Sequence, residues 1–169
     1  MKKEYTMAED KIVIANDHGG YRLKCRLLEY FRENGIPYED LGCDSEDIVR
    51  YPYYAARVAQ AISEGSARRG ILICSTGIGM SIVANRYKGV RASLCTSVTE
   101  AVLTRAHNDS NLLCLGGRVI GEFVALDILK AWLETEFMGG RHNISLGLLA
   151  EAENTLSTGR EWVPENPDL

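Results

Sequence analysis

Gly70-Ile71-Leu72-Ile73-Cys74-Ser75-Thr76-Gly77-Ile78-Gly79-Met80-Ser81 is the stretch that decides the fold. Its first half is a continuous apolar run rich in isoleucine, the pattern of a strand buried on both faces. Its second half breaks on Gly77 and Gly79 and resumes as a short helix, predicted from Gly79 to Tyr87. Strand, glycine turn and helix in direct succession are the building unit of parallel sheets, whose neighbouring strands need a crossover connection.

The same alternation extends in both directions. Towards the N-terminus, Ile12-Val13-Ile14-Ala15 is a second buried-strand signal. Leu23, Leu27, Tyr30 and Phe31 then form a helical stripe that Gly35 stops. Ile36 to Leu41 is a weaker strand, and Ala55, Val58, Ala59 and Ile62 mark a helix ended by Gly65. Towards the C-terminus, Val90 to Cys95 and Leu112 to Leu115 read as strands. Ser97-Val98-Thr99-Glu100 is a capping box that opens a helix. Further helices are predicted from Glu122 to Phe137 and from Ser145 to Leu156. Five strands separated by helices predict a parallel α/β sheet covered on both faces. One domain is expected over 1–157, followed by a loosely ordered polar tail, 158–169, that contains Pro164 and Pro167.

The 169 residues suit one domain and suffice for a core without disulfide or metal staples. A net charge of −4 gives no general attraction to nucleic acid or an anionic membrane. The five cysteines are odd in number and include no CxxC, which argues against a zinc site or disulfide framework and for a reducing compartment. Met1-Lys2-Lys3 is followed by Glu4, Glu9 and Asp10 rather than an apolar segment, so no signal peptide is expected. No apolar run approaches a membrane span. A cytoplasmic protein without membrane or nucleic-acid partners is expected.

Ligands of open parallel sheets bind beyond the carboxyl ends of the strands. The residues found there are Asn16-Asp17-His18-Gly19-Gly20, then Cys74 with the loop Ser75, Thr76, Gly77, Ile78 and Gly79, then Gly116-Gly117-Arg118. His107-Asn108-Asp109 follows a helix, and Gly139-Gly140-Arg141-His142-Asn143 precedes the last one. All three histidines of the chain fall in these segments. The glycine loop can present backbone amides to an anion, or can simply be a tight turn; it has neither the Lys-Ser/Thr of a Walker loop nor a third glycine of a dinucleotide fingerprint. Cys74 is either a reactive thiol at a helix start or a small buried apolar residue. Asp17 is equally a helix cap or a reacting carboxylate. Arg118 and Arg141 each follow paired glycines; with the loop, they argue for a phosphorylated substrate.

Taken in order, these segments and Tyr51-Pro52 resemble the ribose-5-phosphate isomerase B family of ribose/galactose isomerases, from about Lys11 to Ala152. The resemblance implies a doubly wound, five-stranded, Rossmann-like sheet. It implies aldose–ketose isomerisation of a sugar phosphate without metal or cofactor. It also implies a homodimer or dimer of dimers whose pockets draw on both subunits. By the same resemblance Cys74 is the base, and His107 opens the sugar ring with Asp17. Asp17 and Asn108 hold hydroxyls, Ser75 to Gly79 stabilise the intermediate, and Tyr51 borders the substrate. His18, Arg118 and Arg141 bind phosphate. No carboxylate stands at Ile78, Met80 or Ser81, as the cysteine branch of the family requires. Two departures are Ser145, where many members have a second arginine, and Arg50, where many have aspartate. Ribose 5-phosphate is the expected substrate. The alternatives are allose 6-phosphate or galactose 6-phosphate, or a non-catalytic phosphosugar-binding module. The apolar residues of the helix from Glu122, Phe123 and Val124 to Phe137, exceed one buried face, which also predicts a second subunit.

Overall fold

Side chains that alternate along the central strands sort the core into two layers. The computed structural model describes residues 11–163. Its strands are β1 (Ile12–Asn16), β2 (Tyr38–Asp40), β3 (Arg69–Cys74), β4 (Ala92–Leu94) and β5 (Leu112–Gly116). They pair in the order β2-β1-β3-β5-β4, all parallel, so the expected doubly wound sheet is present. The helices are α1 (Tyr21–Asn34), α2 (Tyr51–Ser63), α3 (Ile78–Ala84), α4 (Val98–Asn108), α5 (Glu122–Glu134) and α6 (His142–Leu156). Ile12, Ile14, Ile71, Ile73, Leu113 and Leu115 point to one face and pack on α1, α4 and α5. Val13, Ala15, Leu72, Cys74, Leu112 and Cys114 point to the other, against α2 and α3. The chain therefore leaves β1 and β3 towards opposite faces, and a crevice opens beyond the carboxyl ends of these neighbouring strands.

Several boundaries differ from the expected ones. α5 stops at Glu134 rather than Phe137, because Thr135 is extended (φ −75, ψ 125). α6 starts at His142, earlier than Ser145, since Gly139 and Gly140 both take positive φ and turn the chain into it. α3 ends at Ala84, short of Tyr87, and β4 keeps only the middle of its predicted run. α5 buries Ala125, Leu126, Ile128, Leu129, Trp132 and Leu133 within its own chain and leaves Phe123 and Val124 exposed. The apolar surplus predicted for this helix thus shrinks to its first turn. Beyond α6, Trp162 Nε1 donates to Glu151 at 3.2 Å; of the predicted tail, 164–169 lie outside the described residues. Among the described residues no helix is long and apolar enough to cross a membrane.

The predicted capping box forms: Ser97 Oγ accepts from the Glu100 amide at 3.3 Å, and Glu100 Oε2 accepts from the Ser97 and Thr96 amides at 2.9 and 2.6 Å. These bonds, that of Thr96 first, hold the Glu100 carboxyl below its usual range. Ser97→Ala is expected to destabilise the fold by about 0.5–2 kcal/mol, read as a lower thermal midpoint. Glu100→Gln tests the charge. A carboxyl whose value is lower folded than unfolded contributes stability above its ordinary value and loses it on acidification through the lowered one. The gap between parent and Glu100→Gln should therefore close in melts at acid pH; a gap independent of pH would refute the role of the charge.

Candidate active site

Three loops lock together at the carboxyl end of the sheet. Asp17 extends β1 by one bond, its amide donating to Ile73 O at 3.1 Å, and is buried beside the end of β3. Its carboxylate accepts the Gly19 amide at 2.8 Å and so caps a single 3-10 turn, His18–Gly20. The cap and the site position are thus the same residue. Gly19 lies against the β3 loop so closely that a Cβ there would collide with Ser75 Oγ and stand 2.9 Å from Ser75 N. From β5, the Gly117 amide donates to Cys74 O at 2.8 Å and the Arg118 amide to Ser75 O at 3.0 Å.

Cys74 is nearly buried, and its Sγ accepts the Gly77 amide at 3.0 Å. An amide directed at the sulfur is a contact that a thiolate uses. The Ile78 amide is turned back to Thr76 Oγ1 at 3.3 Å, whereas those of Thr76 and Gly79 have no protein acceptor among the described residues. Tyr51, the first residue of α2, covers Gly79, where a Cβ would stand 2.8 Å from the ring Cζ. His18 Nδ1 accepts the Val49 amide at 3.3 Å, which fixes that imidazole as an acceptor at Nδ1. Arg50 lies exposed between these two contacts, and Ser145 is exposed on α6. Asp17, His18, Tyr51, Cys74, Ser75 to Gly79 and Arg118 therefore share one end of the sheet.

His107, Asn108 and Arg141 do not join them. α4 runs back from the end of β4 to the start of β5, and Asn108 O accepts Arg91 Nε at 3.1 Å beside the first residue of β4. The Met138 amide donates to Ala106 O at 3.0 Å, which brings the Gly139–Gly140–Arg141 turn to the same place. The register Ala92↔Leu112 and Cys74↔Gly116 puts this group at the amino end of the sheet and Cys74 at the carboxyl end. About 13 Å of strand separates these levels. His142, to which sequence reasoning gave no role, stacks there on His107 with ring centroids 4.2 Å apart and planes 10° from parallel. Its signals in the sequence were its adjacency to Arg141 in a glycine turn and its being one of three histidines, all in candidate segments.

Three of the other thiols are buried. Burial raises the Cys43 and Cys114 thiols above their ordinary value and pushes Cys95 to about 12. Cys25 is half-buried and free. A cleft of about 570 Å³ opens at the amino end, lined by Arg68, Arg69, Arg91 and Arg105 among others. Three of its arginines already serve the fold: Arg91 and Arg105 pair with Asp109 at 3.0 and 2.7 Å, and Arg69 donates to Leu133 O. Among the described residues no group of three or more His, Cys, Asp or Glu could hold a metal ion.

Comparison with known proteins agrees with this fold. Ribose-5-phosphate isomerase B of Escherichia coli is 43% identical over 132 residues, 78% of this chain and 89% of that protein. The Clostridium thermocellum ribose-5-phosphate isomerase B structure superposes with a TM-score of 0.84 at 44% identity, covering 86% of this chain and 99% of the other. The Mycoplasma genitalium enzyme of the same name, solved with bound ribulose 5-phosphate, gives 0.81 at 35% identity over 85% of this chain and 96% of its own. The profile described as Ribose/Galactose Isomerase matches residues 12–148. With that match spanning every strand of the sheet, the chain belongs to the ribose/galactose isomerase family.

Proposed function

We propose that the protein interconverts ribose 5-phosphate and ribulose 5-phosphate through a cis-enediol(ate). The observation that carries this reading is the junction of β3 and α3. There a thiol at the strand end accepts an amide, and unengaged amides follow within a few residues. Removing a proton from the carbon beside a carbonyl needs a base and donors for the oxygen that takes up the charge. Cys74 thiolate takes the C2 proton of the open-chain aldose. The C–H electron pair becomes the C1–C2 double bond, and charge collects on O1 near the Thr76 and Gly79 amides. Transfer of the O2 proton to O1 and return of a proton to C1 give the ketose.

The cyclic sugar must open first: a proton leaves the O1 hydroxyl and one arrives at the ring oxygen. In this reading His107 and Asp17 perform that step. They stand at opposite ends of the sheet within one chain, so a second copy supplies His107, Asn108 and Arg141 to the end that holds Cys74. The active unit is then a homodimer or a dimer of dimers. His18, Arg118 and the second copy's Arg141 hold the phosphate, whose remote binding energy orients the reacting carbons.

The test is steady turnover of ribose 5-phosphate with allose 6-phosphate and galactose 6-phosphate beside it. The highest kcat/KM is expected on ribose 5-phosphate, with deuterium entering C1 of the product in D2O. A higher kcat/KM on a six-carbon substrate would overturn the substrate assignment, and binding without any turnover would leave a phosphosugar-binding module.

A further inference from the structure

His18 has a hydrogen bond to fix its ring, but His107 has none among the described residues; its one oriented contact is the stack on His142. The two rings come from helix ends of opposite polarity. His107 lies in the last turn of α4, at the negative end of its dipole, and His142 is the first residue of α6, at the positive end of its own, with its amide donating to Gly139 O at 3.1 Å. The other charges near the pair are Arg141, next to His142, and the Arg105–Asp109–Arg91 cluster, whose members are bound to one another at the end of α4. Burial, then His107, then Arg141 lower the His142 value below the ordinary histidine range.

We infer that His142 is a positioning residue: stacked on His107, it sets the plane of that ring and leaves His107 as the one that exchanges a proton with substrate. This rests on the reading of His107 as the ring-opening group. The reasoning is geometric. An imidazole that must give a proton to a ring oxygen and later recover one needs a fixed direction. A parallel aromatic neighbour fixes the plane while leaving both ring nitrogens free. A cationic neighbour in the same place would repel the imidazolium that forms; a neutral one does not.

Two measurements test this. The first needs no turnover. Histidine ring resonances followed by NMR against pH should show His142 titrating below the ordinary range in the parent, and moving upward in His107→Asn. A His142 titration that ignores the loss of His107 would overturn the coupling.

The second compares ribose 5-phosphate with erythrose 4-phosphate, which cannot close a furanose ring through a free hydroxyl. His142→Ala is expected to lower kcat on ribose 5-phosphate by about tenfold, less than the loss of an acid–base group itself, with KM changed by less than about twofold. Turnover of erythrose 4-phosphate should be unaffected. His142→Phe, which keeps a flat ring, should restore most of the loss. An unchanged His142→Ala, or equal losses on both substrates, would overturn the inference while a selective defect in His107→Asn upheld the ring-opening role. Equal losses on both substrates from His107→Asn would overturn that role and this inference together.

Discussion

Cys74→Ala should lose about 10²–10⁴-fold in kcat, the range of a positioned acid–base group, with the fold and assembly retained. The thiol is buried at the sheet end and is the acceptor for the Gly77 amide, so alanine leaves that donor unpaired. The unpaired donor costs about 1–3 kcal/mol if water does not reach it. Cys74→Ser is therefore the cleaner variant: its hydroxyl accepts the same amide, yet no neighbouring group deprotonates it. Both variants should show this loss, and the serine variant should melt close to the parent. Wild-type-like turnover by either would remove Cys74 from the mechanism. Alkylation gives an independent check. Burial holds the Cys43, Cys95 and Cys114 thiols above their ordinary value and slows their reaction, Cys25 is the half-buried thiol, and Cys74 lies at the candidate site, so Cys25→Ser separates the two remaining targets. Inactivation should survive Cys25→Ser and be slowed by inorganic phosphate.

Mixing two dead variants should restore activity. Cys74→Ala and His107→Asn each spoil every site of their own homodimer. In a heterodimer with shared pockets, one pocket receives Cys74 from one chain and His107 from the other, while the second receives neither. Random assortment at a two-fold interface makes half the dimers mixed, each with one working site of two, or about a quarter of the parental activity. Recovery needs subunit exchange, so it should grow with incubation and fail if the variants are cross-linked before mixing. No recovery, with exchange demonstrated by labelled chains, would mean that both side chains serve a pocket within one chain. A fully active monomer in sedimentation would say the same.

How far the sequence could be read follows from physics. The continuous apolar strands β1, β3 and β5 were visible because a strand covered on both faces must be apolar throughout. The α4 cap was visible because Ser97 and Glu100 satisfy amides locally. β2 was weaker because Tyr-Glu-Asp lies at the sheet edge, half solvated. The ends of α3, α5 and α6 were misjudged where the turn is decided by backbone conformation, as at Gly139 and Gly140, rather than by a stop residue. The candidate residues were legible as types in loops. Their division between the two ends of the sheet is marked by no residue pattern near them; it follows only from the parallel order, which sends α4, joining β4 to β5, back to the amino end. The His107–His142 stack joins residues 35 positions apart by a contact of two planes, which leaves no periodic trace.

The close seating of Gly19 on Ser75 has a consequence for how such a protein can change over generations. Drift cannot widen or narrow the reacting end gradually, because the first methyl added there already displaces the loop that carries the chemistry. A lineage altering its preferred sugar must rewrite the exposed rim instead, at positions such as Arg50 beside Tyr51, where side chains can vary without disturbing the chemistry. A saturation library selected for growth on different sugars should therefore be invariant at Gly19 under every selection and should diverge between selections at the rim.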